Sequence, residues 1–239
     1  LVRMAHGKAS ALDLEFLRAL TGEFDAAVKD GVRALVLTGT GSIFSAGVDL
    51  VRLRDAGKDY LAEFLPAMHA CFERLFFLPL PTIAAVNVHA IAGGGVLTLA
   101  CDHRILVRGG ARIGLPEHKV GVPFPVLVLE IVRATLSPPV EQEVLLGAPT
   151  WDADTALARG FVNELAEPEA LLPRAEALAT ELAAMPATSY RLTKERLRRP
   201  ARDAVASARG ADDSLTHAAW DSTEVRDAVR DYVARTLKR

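Results

Sequence analysis

The sequence has few cysteines, little net charge and no long hydrophobic run. Its two cysteines, Cys71 and Cys101, lie far apart and form neither a CxxC pair nor a metal-ligand spacing, which argues against a disulfide scaffold or a zinc site. The formal net charge is −2, so the protein as a whole does not present the basic surface of a nucleic-acid-binding protein. No apolar segment reaches the ~18 residues that a membrane span needs, and no signal-peptide pattern is present. We therefore expect a cytoplasmic protein without nucleic-acid or membrane partners.

The rest of the composition is that of an ordinary globular protein. The 239 residues are 50% hydrophobic and 24% charged, which suits one large domain or one domain with a helical appendage. Apolar periodicity predicts a helix over 11–29, and apolar runs predict buried strands over 33–38 and 82–88. Buried strands separated by helices indicate an α/β fold with a largely parallel sheet. The pattern turns almost entirely helical from about Pro139, so we predict a core over 1–138 and a helical region over 139–239.

A run of three glycines, Gly93-Gly94-Gly95, follows the second of these strands and precedes an apolar segment that is compatible with a helix. Glycine lets the backbone come close to a ligand, and the first turn of a helix offers unpaired N–H groups that favour negative charge. Glu117 follows among apolar neighbours such as Val122, and such surroundings raise the pKa of a carboxyl group toward the working pH. Together these residues predict an oxyanion site beside a carboxylic acid–base.

Four segments in this order resemble the crotonase (enoyl-CoA hydratase/isomerase) superfamily. Each segment alone is a weak motif, but all four occur with matching separations, and the resemblance covers nearly the whole chain. The segments are Gly7–Leu12, Phe44–Leu50, Ala84–Asp102 with its three glycines, and Ile113–Glu117 followed by Gly121.

The resemblance implies a spiral of βαβ units with a C-terminal helical region that takes part in oligomerisation and closes the acyl-CoA pocket. It also implies a homotrimer or a dimer of trimers, and an acyl-CoA thioester as the substrate. Coenzyme A is then part of the substrate, so we expect no separate cofactor and no metal. By the same resemblance, the backbone N–H groups of Val48 and Gly94 form the oxyanion hole and Glu117 is the catalytic acid–base. The loop residues expected to border the acyl-CoA are Ser45, Ala46, Gly47, Asp49 and Leu50.

The residue three places after Gly94 separates the reactions of this superfamily. Its hydratases typically use two glutamates around one water, and one glutamate occupies this position. Here the position holds Leu97, which can neither accept nor donate a proton. One carboxylate is enough for a 1,3-proton shift, in which Glu117 takes the C2 proton and returns it at C4. The chain looks most like the monofunctional Δ3,Δ2-enoyl-CoA isomerases, and we also predict substrate contacts from Leu97, Phe124 and Lys194.

Two other hypotheses stay open. One is a hydratase, or another crotonase-type reaction such as hydrolysis or decarboxylation, that uses Glu117 and an unrecognised partner. The other is a non-catalytic acyl-CoA-binding protein that kept the fold. Lys194 belongs to a basic cluster that is most often a solvated helix face, although it could pair with the phosphates of CoA, including CoA on a neighbouring subunit. We favour for His118 a role at the surface or behind the residues that touch the substrate, and for Trp220 a role in helix packing.

Overall fold

The computed structural model describes residues 1–236, apart from the side chain of Lys58. The strands in chain order are β1 (Val2–Arg3), β2 (Leu35–Thr38), β3 (Ile43–Ser45), β4 (Thr82–Val86), β5 (His89–Ile91), β6 (His103–Val107), β7 (Ile113–Gly114), β8 (Thr150–Trp151) and β9 (Glu164–Ala166). The α-helices are α1 (Leu14–Lys29), α2 (Leu50–Asp55), α3 (Lys58–Phe76), α4 (Gly93–Ala100), α5 (Val126–Thr135), α6 (Pro138–Gly147), α7 (Ala153–Ala158), α8 (Pro168–Ala183), α9 (Ala187–Leu197), α10 (Arg199–Trp220) and α11 (Thr223–Thr236). A short 3₁₀ helix covers Glu117–Val120.

Two sheets organise these elements. The first has the order β1-β2-β4-β6-β9 and is parallel throughout. Its central strand β4 is buried along its whole length, as expected for a parallel sheet that is covered on both faces. The second sheet has the order β3-β5-β7-β8, in which β7 and β8 pair in antiparallel fashion. The predicted α/β class with successive βαβ crossovers is therefore confirmed.

The second sheet brings together the loop 46–49 and the glycine run, the two segments predicted to supply the oxyanion donors. Strand β3 pairs in parallel with β5, with Ser45 opposite Ala90. The loop 46–49 leaves the end of β3, and the glycine run leaves the end of β5 and enters α4. Because the carboxyl ends of neighbouring parallel strands lie at the same edge of a sheet, both loops open on one side of the molecule.

The chain beyond residue 138 is less helical than the sequence pattern indicates. Strand β8 joins the second sheet and β9 joins the first, so both sheets extend past the predicted boundary. Helix α10, which no periodicity argument predicted, runs for 22 residues. Pro200 lies in its first turn, where the missing N–H of proline costs no helical hydrogen bond. Gly210 lies in its interior. None of the helices within 1–236 has the length and apolarity required to cross a bilayer.

The last helix forms a small apolar cluster beside the main core. The buried face of α11 is formed by Val225, Val229 and Val233, which make a small apolar cluster with Leu50 and Leu53 of α2. Ala228 on the same helix meets Gly121 at the end of the 3₁₀ helix, so closely that a Cβ atom on Gly121 would lie 2.9 Å from it. Helix α11 thus packs on α2, which follows the loop 46–49, and on the segment that carries Glu117.

Candidate active site

A cavity of about 400 Å³ lies between the two loops, the 3₁₀ helix and the C-terminal helices. Most of its wall is apolar, with Phe72 of α3, Val96 of α4 and Val128 of α5 among the contributors. The predicted site residues that line it are Ala46, Val48, Asp49, Leu50, Glu117 and Phe124. The fold therefore brings together residues that are up to 78 positions apart (124 − 46).

The amide of Val48 faces away from its neighbouring segment. Leu12 donates its N–H to the carbonyl of Gly47 at 2.8 Å and accepts the N–H of Asp49 at 3.0 Å. In this parallel bridge between Leu12 and Val48, the residue between the two bonded neighbours directs its own N–H to the opposite side. No hydrogen bond of the Val48 N–H occurs within residues 1–236, and Val48 lines the cavity.

The amide of Gly94 is the second free donor. Gly94 is the second residue of α4, whose helical hydrogen bonding begins with the bond from Val96 N–H to Ala92 O at 3.0 Å. The first N–H groups of a helix have no acceptor within it, and no other acceptor of this amide occurs in the described chain. A Cβ atom at position 94 would overlap the carbonyl oxygen of Ser45, so the residue must be glycine for α4 to start this close to β3.

The residue before the glycine run has a strained backbone. Ala92 caps the N-terminus of α4 with φ +53° and ψ −124°, a region that glycine adopts far more readily. Gly47 packs against the same point, because a Cβ atom there would lie 2.7 Å from the Ala92 Cβ atom. Non-glycine residues held in such regions cost about 1–3 kcal/mol each and cluster at functional sites. Ala92 and the following Gly93 both line the cavity.

Glu117 places a carboxyl group at the apolar wall of this cavity. It is the first residue of the 3₁₀ helix and follows Pro116, so the chain turns immediately after the carboxyl-bearing residue. Its Oε2 atom is buried and has no hydrogen-bond partner among the described residues. Burial raises the pKa of Glu117 to about 8, since a low-dielectric environment disfavours the ionised carboxylate. A buried, unpaired acid with a raised pKa in a cleft is a candidate for proton transfer.

Comparison with known proteins agrees with this geometry. The sequence profile described as enoyl-CoA hydratase/isomerase matches residues 1–238. The chain belongs to this family. A putative enoyl-CoA hydratase of Thermus thermophilus is 40% identical over 187 residues, which are 77% of this chain and 72% of that protein.

Solved structures show the same fold in this family. A probable enoyl-CoA hydratase of Mycobacterium tuberculosis is 33% identical, with a TM-score of 0.83 over 92% of this chain and 94% of that one. The human mitochondrial Δ3-Δ2-enoyl-CoA isomerase is 24% identical, with a TM-score of 0.92 over 96% of this chain and 90% of that one. The suspected relationship to the crotonase superfamily is thus confirmed, while the names of these relatives divide between hydratase and isomerase.

Two of the loop residues predicted to border the substrate form hydrogen bonds within the protein. Ser45 is fully buried, and its hydroxyl donates to the carbonyl of Ser10 at 2.7 Å and accepts the N–H of Gly47 at 3.2 Å. Asp49 caps α2, where its carboxylate accepts the N–H of Arg52 at 2.9 Å. Ser45 therefore shapes the loop instead of lining the cavity, and the Asp49 carboxylate is already engaged at the cavity wall.

Leu97 does not line the cavity, in contrast to the predicted substrate contact. It lies in α4 with no exposed surface, and Gly93 and Val96 are the α4 residues at the cavity wall. The helix turns the side chain of residue 97 into the apolar core of the protein.

Lys194 does not line the cavity either, and its ammonium group is already bonded. Its Nζ atom donates to Asp102 Oδ2 at 2.6 Å and to the carbonyl of Leu80 at 3.0 Å. Arg198 donates to the other oxygen of Asp102 at 2.7 Å. Burial lowers the pKa of Lys194 to about 8, although Asp102 opposes this shift. Within one chain the Lys194 ammonium therefore pairs with a buried carboxylate, and its contact with CoA stays a prediction.

Two C-terminal residues at the cavity wall were missed or misread from sequence. Trp220, interpreted as helix packing, and Tyr232, which no motif singled out, both line the cavity. The available signal was their position on adjoining helices of the C-terminal region, which the family resemblance expected to close the pocket. His118 is exposed and meets the Phe124 ring edge-on at 5.3 Å between centroids, so it lies on the outer side of the segment.

Proposed function

We propose that this protein shifts the double bond of a 3-enoyl-CoA to give the conjugated 2-enoyl-CoA, with Glu117 as the single acid–base. The observation that carries the proposal is the number of acids at the cavity wall. Among the described residues that line it, the carboxylic acids are Asp49 and Glu117. Asp49 caps a helix, whereas Glu117 has a buried, unpartnered oxygen. One free carboxyl group matches a reaction in which one proton leaves and returns.

In the proposed reaction, the thioester oxygen accepts hydrogen bonds from the N–H groups of Val48 and Gly94. The Glu117 carboxylate removes a proton from C2, and the C–H electron pair forms a C1–C2 double bond while the carbonyl electrons move onto that oxygen. The product is a dienolate, in which conjugation with the C3–C4 double bond carries electron density to C4. The protonated Glu117 then gives the proton to C4, the double bond reforms between C2 and C3, and the carboxylate is regenerated. Two fixed backbone donors suit this charge, since losing one donor of this kind costs about 3–4 kcal/mol in acyl-transfer enzymes.

The raised pKa of Glu117 supports this role. A base whose pKa of about 8 lies near the working pH combines basicity with an accessible ionised fraction. At pH 7 about one tenth of such groups are ionised in the absence of substrate. The apolar wall near Glu117, which includes Val120, Val122 and Phe124, also excludes water from the dienolate.

Hydration of a 2-enoyl-CoA is the competing reaction, because several relatives carry hydratase names. It requires a water that is oriented and deprotonated on one side and a proton donor on the other. Leu97 removes the second carboxyl group from α4 and is itself in the core. Glu117, the remaining carboxylic acid at the described cavity wall, therefore favours isomerisation over hydration.

The deciding experiment supplies 3-enoyl-CoA and 2-enoyl-CoA separately to the purified protein and follows the ultraviolet absorbance of the conjugated thioester. We expect the absorbance to rise with the 3-enoyl substrate and to stay constant with the 2-enoyl substrate. Glu117→Gln is the control, since it keeps shape and removes the base. Rapid loss of the 2-enoyl absorbance without isomerisation would identify a hydratase, and tight binding without either change would identify a non-catalytic acyl-CoA-binding protein.

A further inference from the structure

A second crevice adjoins the acyl cavity. It has a volume of about 230 Å³ and lies between α3, α10 and the start of α5. Met68 and Pro125 line both this crevice and the main cavity, so only these side chains stand between the two spaces at that point. Met68 is 5% exposed, and methionine is an unbranched, flexible side chain that adapts to its surroundings. The Met68 side chain therefore forms part of the boundary between the two spaces.

The side chains that line the crevice change from apolar to polar with distance from Met68. Its inner part is apolar, with Leu65 beside Met68. Its outer part carries the polar side chains of His69, Glu73 and Arg209. Arg209 donates to Glu73 Oε1 at 2.6 Å, and its side chain is 42% exposed. The crevice therefore leads from the acyl cavity past apolar side chains to a polar, partly solvated end.

His69 has an unused hydrogen-bonding atom in this crevice. Its Nδ1 atom lies 3.8 Å from Glu73 Oε2, and its Nε2 atom is buried without a partner within the described chain. Buried polar atoms are almost always paired, and an orphan needs an explanation. Burial and the nearby Arg209 lower the pKa of His69, so the ring is neutral at pH 7 and its Nε2 suits an uncharged partner.

We propose that the far end of the acyl chain passes Met68 into this crevice, where His69 Nε2 forms a hydrogen bond with a neutral oxygen on that end. The favoured ligands are then acyl-CoA thioesters that carry a hydroxyl or keto group near the ω carbon. A terminal carboxylate fits less well, because Glu73 and Asp213 line the same crevice and Arg209 is already paired with Glu73. The inference rests on the proposed acyl-CoA function but not on which reaction occurs at Glu117.

Binding of saturated acyl-CoA esters tests this proposal without any turnover. Isothermal titration calorimetry is performed with plain and ω-hydroxylated esters of matched chain length, from eight to sixteen carbons. For chains that end within the apolar cavity, the hydroxyl group weakens binding. For chains long enough to pass Met68, we expect the wild type to bind the hydroxylated and the plain ester equally well. In His69→Leu, we expect the hydroxylated long ester to bind about tenfold more weakly than the plain one. His69→Leu leaves Glu73 paired with Arg209, and His69→Gln restores a hydrogen-bonding group and part of the affinity.

A second variant tests the path. Met68→Trp fills the boundary between the two spaces, so it should weaken binding of the long esters more strongly than binding of the shortest ones. Equal affinities of wild type and His69→Leu for the hydroxylated long esters, with plain esters still bound, would overturn the crevice proposal alone. Failure of the wild type to bind any plain ester would instead overturn the acyl-CoA function, and the crevice proposal with it.

Discussion

Gly94 and Ser45 lie so close together that a Cβ atom on Gly94 would stand 2.9 Å from the Cβ atom of Ser45 and overlap its carbonyl oxygen. This contact sets the start of α4 against the end of β3. It therefore sets the separation between the free N–H of Gly94 and that of Val48, three residues after Ser45. The spacing of the two donors depends on a glycine that has no Cβ atom and not on a hydrogen bond.

The first prediction follows from this contact. Gly94→Ala should force α4 away from β3 and misplace one donor, which lowers kcat of the isomerisation by about 10²–10³-fold. Gly22→Ala is the matched control, because Gly22 lies within α1 and no atom lies within 4 Å of a Cβ atom there. That control should keep full activity and gain about 0.5–1 kcal/mol in stability. Steady-state kinetics and urea unfolding of both variants make the comparison, and full activity of Gly94→Ala would contradict it.

The pH dependence of catalysis follows from the ionisation of Glu117. Burial raises its pKa to about 8, and only the ionised carboxylate can remove the C2 proton. We therefore expect kcat/KM to rise with pH below 8 and to level off above it, since this parameter reports groups of the free enzyme. A profile of kcat/KM from pH 5.5 to pH 9.5 checks this expectation. A plateau that already begins near pH 5 would show that the carboxyl group titrates normally.

The same ionisation affects stability. The folded-state pKa of Glu117, about 8, exceeds the ordinary value of 4.5, so the unfolded chain loses this proton at lower pH than the folded one. The contribution to stability is fully present below pH 4.5, falls between pH 4.5 and pH 8, and is lost above pH 8. The total loss is about 3–5 kcal/mol.

Glu117→Gln removes this titration. Urea unfolding from pH 5 to pH 9 should show the wild type falling relative to the variant, which should be the more stable protein at pH 9. Parallel pH profiles of the two proteins would mean that the carboxyl group is not buried in the folded state.

Leu97→Glu tests whether the missing carboxylate can simply be added. Leu97 has no exposed surface and does not line the cavity, so an introduced carboxyl group would be buried without a partner. We expect a loss of at least about 3 kcal/mol in the free energy of unfolding and no gain of hydratase activity. Leu97→Met is the control, with an expected cost below about 1.5 kcal/mol. Measurable hydration by a stable Leu97→Glu protein would show that residue 97 reaches the substrate.

The buried cluster around Asp102 gives a prediction on stability alone. Asp102→Ala should destabilise the protein by about 3–5 kcal/mol, because it leaves the ammonium of Lys194 and the guanidinium of Arg198 buried without a counter-charge. Lys194→Met should cost less, since Arg198 still pairs with Asp102. Chemical unfolding measures both effects. If Lys194→Met instead weakens acyl-CoA binding more than tenfold while its stability is unchanged, Lys194 contacts the ligand after all.

Much of the fold could be predicted from local patterns. Strands β2 and β4 lie within the predicted apolar runs, and α1 lies where the apolar periodicity predicted a helix. Helix α10 lies in the region predicted to be helical, but no periodicity delimited it, and it contains Pro200 and Gly210. Strands β8 and β9 were also missed, since runs of two and three residues carry no periodicity.

By itself, the sequence determined the family, the α/β class and the types of reactive group. The chemistry of Gly94, Leu97 and Glu117 could be predicted from sequence, because it follows from the groups that each side chain has or lacks. Only the tertiary structure decided which groups are available. It directs Leu97 into the core, pairs Lys194 with Asp102, and places Trp220 and Tyr232 at the cavity wall. The physical reason is that burial and pairing depend on neighbours distant in the chain, whereas the chemistry of a side chain does not.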